Sequence, residues 1–246
     1  MTKIRLDRLL VERGHAGSRE KAQALILSGD VFVNGQKAEK CGAAVDSGAA
    51  LRVDAKALKY ASRAGVKLEG ALCDFGIEAR GKTCLDAGAS TGGFTDCLLQ
   101  HGAARVFAVD VGTNQLDWKL RQDSRVTSLE KTDARTLSLE RLGAPADLAL
   151  VDVSFISCRR ILPALPPLLK PGADLLVLVK PQFEVGRGRV GKGGVVRDPK
   201  LHQQAVAAVV QKLEEMEFTG IASVESVLPG AEGNREFFVR AIWKKA

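Results

Sequence analysis

No C-x-x-C pair occurs among the five cysteines, Cys41, Cys73, Cys84, Cys97 and Cys158, which are odd in number and widely spaced among apolar neighbours. That excludes a paired-cysteine zinc or dithiol motif and predicts reduced thiols in a core. Histidine is equally sparse. His15, His101 and His202 lie far apart in the chain, so no metal-ligand cluster is visible, and His101 beside Gly102 suits a helix C-terminus better than a base. No apolar run approaches the roughly 18 residues of a membrane span. Charged Lys3, Arg5, Asp7 and Arg8 stand where a signal peptide would need an apolar stretch. The expectation is a cytoplasmic protein with neither a membrane nor a metal as partner. There is no internal repeat and no low-complexity tract.

What is present bounds the answer further. The 246 residues suffice for one large or two modest domains, and 46% apolar residues exclude disorder. Lys and Arg outnumber Asp and Glu by 36 to 29, a net charge of +7 with a pI near 9.3, which favours an anionic partner without identifying it. Near the start, Leu6, Leu9 and Leu10 recur at helical spacing and stop at Gly14. Ser18 can cap a second helix carrying Ala22, Leu25 and Ile26 before Gly29. The period then changes: Val31, Phe32 and Val33 run into Asn34-Gly35, the signature of a type I′ hairpin, and residues 51–53 offer a further strand. Arg5, Arg8, Arg19, Lys21 and Lys37 fall on this small α+β unit, which charge spacing alone would also allow to be a solvated face.

The segments R-L-D-R-L-L-V-E-R-G and S-R-E-K-A-Q-A-L-I-L-S-G-D-V-F-V-N-G-Q resemble the RNA-binding domain first named for small-subunit ribosomal protein four. The resemblance implies that the two helices and the following turn lie on structured RNA. A compact basic surface without interleaved aromatics agrees, since it would read backbone and shape rather than stack single bases. Residues 1–54 are assigned to this domain, 55–61 to a short linker and 62–246 to a second domain.

In that second domain helix and strand patterns alternate. Residues 62–76 read as a helix, and 83–86, 106–110, 126–130, 148–152 and 175–180 as short apolar strands of a buried parallel sheet. Residues 201–218 make another helix, and 221–227 with 237–243 a closing strand pair. The expected fold is α/β, a Rossmann-like doubly wound sheet with an antiparallel edge strand. Cys84 to Phe94 form a strand, a glycine-rich bend and a helix start, where backbone can approach a ligand. The glycines at 88, 92 and 93 match neither a dinucleotide G-x-G-x-x-G nor a P-loop. Asp110, about 20 residues past the loop, could accept hydrogen bonds from both ribose hydroxyls of a nucleoside. Asp133 follows the third strand, where an adenine amino group would need an acceptor, and Asp86 closes the first. By themselves these features fit S-adenosylmethionine, a nicotinamide cofactor or merely tight strand-to-helix packing. L-D-A-G-A-S-T-G-G-F-T, however, resembles the cofactor loop of FtsJ-like ribose methyltransferases. That resemblance implies S-adenosylmethionine at Gly88, Ser90, Thr91, Gly92, Gly93, Asp110 and Asp133, with Asp86 nearby.

Four further residues sit at the edges of apolar segments. Lys180 ends the apolar run 175–179 and Pro181 then forces the chain out of the sheet, Asp152 ends the adjoining strand, Glu236 precedes Phe237, and Lys67 lies on the helix before the first strand. Each alone has an ordinary reading as a cap or a solvated charge. Together S-R-A-G-V-K-L, V-D-V-S-F-I-S, V-K-P-Q-F-E and N-R-E-F-F resemble, in order, the blocks carrying the Lys-Asp-Lys-Glu tetrad of 2′-O-ribose methyltransferases. With the front unit they resemble the TlyA family of ribosomal-RNA ribose methyltransferases, historically labelled hemolysins. The resemblance implies catalysis by Lys67, Asp152, Lys180 and Glu236 on ribosomal RNA or ribosomal subunits. Residues 186–197 add five glycines and four cations with no acid, including Arg187, Arg189 and Lys192, a phosphate-seeking loop next to Lys180 or else a solvated one.

Three rival functions make contrary demands. An idle RNA-binding module should have lost parts of the tetrad, whereas all four positions are intact. A hemolysin would need a secretory route and an inserting segment. A base methyltransferase usually carries a catalytic cysteine or an Asn/Asp-Pro-Pro-aromatic motif, and Pro166-Pro167 is preceded by Leu165.

Overall fold

The computed structural model describes residues 3–16, 19–38, 40–53, 59–230 and 233–244; the side chains of residues 20, 21, 24, 27, 28 and 187 lie outside the description. The chain forms two compact units, residues 1–58 and 59–246. In the first, β1 (Lys3–Arg5), α1 (Leu6–Glu12) and α2 (Arg19–Ser28) precede β2 (Val31–Val33), β3 (Gln36–Lys37), β4 (Ala44–Asp46) and β5 (Leu51–Val53). Leu6 and Leu10 of α1, Ala22 and Ile26 of α2, and Val31 make its small core. Asn34 (φ 51°) and Gly35 (φ 82°) both adopt the left-handed conformation that a type I′ turn requires, so β2 and β3 pair as a tight hairpin. β5 pairs on the other side of β2. The antiparallel β1–β4 pair has no counterpart in the sequence reading, because Lys3-Ile4-Arg5 and Ala44-Val45-Asp46 each hold a single large apolar residue and so show no strand pattern. The proposed Ser18 cap falls outside the described residues.

The second unit runs α3 (Ala64–Asp74), β6 (Thr83–Ala87), α4 (Gly93–Gln100), β7 (Arg105–Val109), α5 (Trp118–Gln122), β8 (Val126–Leu129), α6 (Leu139–Leu142), β9 (Ala146–Val151), β10 (Leu169–Val179), α7 (Pro181–Glu184), α8 (Pro199–Glu215), β11 (Thr219–Glu225) and β12 (Phe237–Ile242). Seven strands form one sheet in the order β11-β12-β10-β9-β6-β7-β8. The five from β8 to β10 are parallel, and β12 runs against both neighbours. The reversed strand is therefore not the edge itself but one place inside it. Its burial explains why: Phe238, Val239 and Ala241 are fully buried, whereas β11 alternates exposed and half-buried residues as an edge strand does.

Both faces of the sheet are covered, which is why its central strands read as continuous apolar runs. On one face Cys84, Leu148, Leu150, Leu176, Leu178 and Phe238 pack on Leu68 and Leu72 of α3 and Leu98 of α4. On the other, Leu85, Phe107, Val151, Leu175 and Val177 share a core with Ala205, Val209 and Leu213 of α8. Asp198 caps α8 by accepting from the Lys200 amide at 2.9 Å, and Pro199 fills its first turn. Cys84, Cys97 and Cys158 are buried thiols as expected, but Cys73 is exposed, on the outer side of α3.

Candidate active site

The β6–α4 loop is shaped by close approaches. Gly88 has φ 97°, and a side-chain Cβ there would stand 2.2 Å from the Asp152 carbonyl oxygen. Only glycine fits. Gly92 (φ 93°) lies against Leu120 and Leu116, and Gly93 against Ser62 Oγ, so these two set the loop's path. Ser90, itself left-handed at φ 47°, donates its amide to Asp110 Oδ2 at 2.8 Å, and Gly112 donates to Oδ1 at 2.7 Å. Asp110 thus ties the loop to the end of β7 while keeping lone pairs for a ligand.

Two adjoining cavities open at the carboxyl edge of the sheet. One of about 380 Å³ is lined by Ser90, Asp110, Asp133, Val153, Phe155 and Ile161, among others. A smaller one of about 160 Å³ is lined by Ser62, Thr91, Gly93, Phe94 and Lys180 among others. Gly88, Ser90, Asp152 and Ser154 border both. Apolar walls with convergent carboxylates and a glycine floor suit an adenosyl group, so these residues fit S-adenosylmethionine. Asp133 lines the larger cavity with its carboxylate engaged: it accepts from the Arg135 amide at 2.9 Å and is gripped by the Arg135 guanidinium, which holds it below the usual carboxylate range. Asp86 borders neither cavity. It lies fully buried beneath the loop and accepts from Thr95 Oγ1 at 2.7 Å. Burial above all, with the charges of Asp152 and Asp110, raises it to about 7 against the opposing Thr95 hydrogen bond.

Strand register brings the tetrad positions together. Val177 of β10 pairs with Val151 of β9, and Val179 with Phe237 of β12, so Asp152, Lys180 and Glu236 each lie one residue past or before these paired segments. Strand residues alternate faces. Asp152 follows the parity of Leu150, Lys180 that of Leu178, and Glu236 that of Phe238, all on the face covered by α3. Lys67 of α3 meets Glu236 there, Nζ to Oε2 at 2.6 Å, with side chains only 11% and 3% exposed. Lys180 Nζ lies 2.5 Å from Asp152 Oδ1, an ion-pair contact off the hydrogen-bond direction, and donates to Ser154 Oγ at 2.9 Å. The result is two ammonium–carboxylate pairs at one edge and one face.

Several contributors carried no sequence signal of their own. Ser154 is Lys180's second partner. Phe155 is 92% exposed at φ 66° beside the cavity and touches Phe183 of α7. Glu184 ends α7 and accepts from Ser157 Oγ (2.6 Å), the Cys158 amide (2.7 Å) and Arg159 Nε (3.0 Å), clamping the segment after β9. All three sit inside the motif blocks quoted above, but their partners are more than 20 residues away and only the fold supplies them.

The basic positions divide. In the first unit Arg5 and Arg19 both contact Asp7, at 2.8 and 3.1 Å, and Asp7 is fully buried; Arg5 foremost holds its carboxyl far below the ordinary range. Arg8 pairs with Glu12 along the helix at 2.9 Å, and Lys37 is exposed. In the second unit Arg189 donates to Gln204 at 3.0 Å and Lys192 is exposed. The side chains of Lys21 and Arg187 lie outside the described residues. Among the described residues no three His, Cys, Asp or Glu side chains gather as metal ligands, and no helix is long and apolar enough to cross a membrane.

Fold and cradle define a Rossmann-like S-adenosylmethionine-dependent methyltransferase. The N-methyltransferase NodS of Bradyrhizobium japonicum, solved with S-adenosylhomocysteine, shares the fold at TM-score 0.51 and 16% identity, covering 73% of this chain and 87% of that one. Residues 60–242 match the FtsJ-like methyltransferase family and residues 4–51 the S4 domain. The 16S/23S rRNA (cytidine-2′-O)-methyltransferase TlyA of Mycobacterium tuberculosis is 48% identical over 238 residues, 96% of this chain and 89% of that protein. A solved structure from Streptococcus thermophilus, named as a hemolysin, superposes at TM-score 0.78 with 40% identity over 100% of this chain and 90% of that one. The chain belongs to the TlyA family of FtsJ-like methyltransferases that carry an S4 domain.

Proposed function

We propose that this protein methylates a ribose 2′-hydroxyl of ribosomal RNA, using S-adenosylmethionine, in the cytoplasm. The observation that carries this reading is that two ammonium–carboxylate pairs stand at one edge and on one face of the sheet, with Lys180 and Asp152 lining the cavity over the glycine cradle. S-adenosylmethionine, when bound, supplies a methyl group already activated by its sulfonium centre. Gly88, Ser90, Thr91 and Asp110 would hold it, Asp133 would border the adenine, and Gly92, Gly93 and Asp86 would maintain the loop from below.

A ribose hydroxyl is a weak nucleophile because its proton is bound far above neutral pH. Lys180, held beside Asp152 and donating to Ser154, lines the small cavity with two N–H donors left over, and there it orients the hydroxyl and stabilises the developing alkoxide as the hydroxyl proton is lost to solvent. Asp152 fixes that ammonium and contributes a negative charge to the wall shared by both cavities. The enclosed Lys67–Glu236 pair bounds the same edge and limits where the ribose can sit. Orientation of this kind can contribute about 7 to 11 kcal/mol.

In this reading residues 1–54 dock RNA through Arg5, Arg8, Arg19, Lys21 and Lys37, residues 55–61 link, and residues 62–246 carry out the chemistry with Arg187, Arg189 and Lys192 on nearby phosphates. Ribosomal RNA as substrate is supported by the name of the Mycobacterium tuberculosis relative, with a cytidine as the first nucleoside to examine. Mass mapping of ribosomal RNA after incubation with methyl-labelled cofactor tests the reading. Ribose-borne label is expected with the native enzyme and its loss with Lys180→Ala, while cofactor binding persists by calorimetry; label on a base would refute it.

A further inference from the structure

Asn234 is 2% exposed and lies two residues before Glu236. Both ends of its side-chain amide are used on the basic glycine loop: Oδ1 accepts from the Val196 amide at 2.9 Å, and Nδ2 donates to the Gly194 carbonyl at 2.9 Å. Those two partners settle which end of the amide is which. His202 of α8, 4% exposed, reaches the same stretch, Nε2 to Val196 O at 2.8 Å, and its ring lies 5.8 Å from that of Phe237, the residue after Glu236. Arg189 at the start of the loop donates to Gln204 of α8 at 3.0 Å, and residues 191–195 close on themselves, with Gly191 N to Val195 O and Gly194 N to Gly191 O both at 3.1 Å and with Gly193 and Gly194 left-handed. Lys192 is exposed at its turn.

On its other side Asn234 reaches the surroundings of the Glu236 carboxylate through Gly230. The Asn234 carbonyl accepts from the Gly230 amide at 2.8 Å, and Gly230 abuts Glu236 so closely that a Cβ would come within 2.4 Å of Oε1. The carboxylate thus has little room to move except with this segment. An apolar side chain here would leave the Val196 amide and the Gly194 carbonyl unpaired, whereas a buried amide bonded at both ends specifies one geometry and is costly to leave half-made.

We propose that Asn234 is a positioning residue that couples RNA engagement by the basic glycine loop to the placement of the Lys67–Glu236 pair. This rests on the ribose-methylation reading above. A phosphate held at Lys192 orders the loop; the loop, through Gly194 and Val196, holds Asn234; and Asn234 holds the strand start that carries Glu236. Such coupling is reciprocal, so a disordered loop leaves the pair misplaced.

The test is a double-mutant cycle on the full-length enzyme with ribosomal RNA and saturating cofactor. Asn234→Asp has the same shape and keeps the acceptor for Val196 N, but it sets an oxygen against the Gly194 carbonyl. It should lower kcat by about tenfold, the scale of one buried polar group left unpaired, with cofactor affinity unchanged. In the native background Lys192→Ala should lower kcat and raise KM for RNA; in the Asn234→Asp background it should raise KM alone. A kcat for Asn234→Asp within about twofold of native at saturating RNA, or equal effects of Lys192→Ala on kcat in both backgrounds, would overturn the proposal as an additive result. Should Asn234→Asp fail to fold by circular dichroism, His202→Leu removes the other anchor of Val196 and enters the same cycle with the same two outcomes. The underlying reading fails separately, in the native arm, if the unmodified enzyme binds cofactor yet places no label on ribose.

Discussion

Asp86 lies beneath the β6–α4 loop with one oxygen bonded to Thr95 and the other without a hydrogen-bond partner among the described residues, so ionising it sets a charge in an apolar interior. Raised from 3.8 to about 7, it binds a proton in the folded state that the unfolded chain has already released between those pH values. Its contribution therefore falls as pH rises from about 4 to 7, by about 1.4 kcal/mol per unit, and is level above that. Urea titrations of native and Asp86→Asn protein should diverge across this window in favour of the variant and run parallel above pH 7; a constant difference would show that Asp86 does not titrate there. The strand-end residues Asp152 and Lys180 were legible because an acid or a lysine closing an apolar run is visible in one dimension. Their partner Ser154 was not, since a serine two places beyond a strand has no periodicity to mark it.

The loop joining β6 to α4 was readable from its glycines, and the structure separates their duties. Gly88 faces the cavities with the Asp152 carbonyl immediately behind it, whereas Gly92 packs on Leu120 of α5. Gly88→Ala has both a left-handed backbone and a 2.2 Å overlap to relieve, so the loop must lift away from β9. S-adenosylmethionine affinity by calorimetry should fall by at least about tenfold, the scale of about 1.4 kcal/mol of lost preorganisation. Unchanged affinity would place the cofactor elsewhere. The inner strands β6, β7 and β9 and the second half of β10 were legible because two-sided burial makes them largely apolar, whereas β8, Val-Thr-Ser-Leu at the sheet edge, is only half-buried to exposed. The direction of β12 was less so: a strand's period of two is the same whichever way it runs, and its place inside β11 depends on which edge has the larger apolar face to cover.

Each unit has a core of its own, Leu6, Leu10, Ala22, Ile26 and Val31 in one and the two faces of the seven-stranded sheet in the other. Residues 59–246 expressed alone should therefore fold and bind S-adenosylmethionine with native affinity, while their KM for ribosomal RNA rises by an order of magnitude or more through lost phosphate contacts. A fragment with native KM would remove the front unit from substrate docking. The amino-acid sequence by itself determined the two-unit organisation, the α/β class and the glycine cradle, because burial patterning and left-handed turns are local properties. Tertiary structure alone decided that Lys67 pairs with Glu236, 169 positions away, that Glu184 clamps the segment after β9, and that Asn234 joins the basic loop to Glu236. These pairings depend on strand order and register, and those are settled by how whole faces pack rather than by any residue's neighbours in the chain.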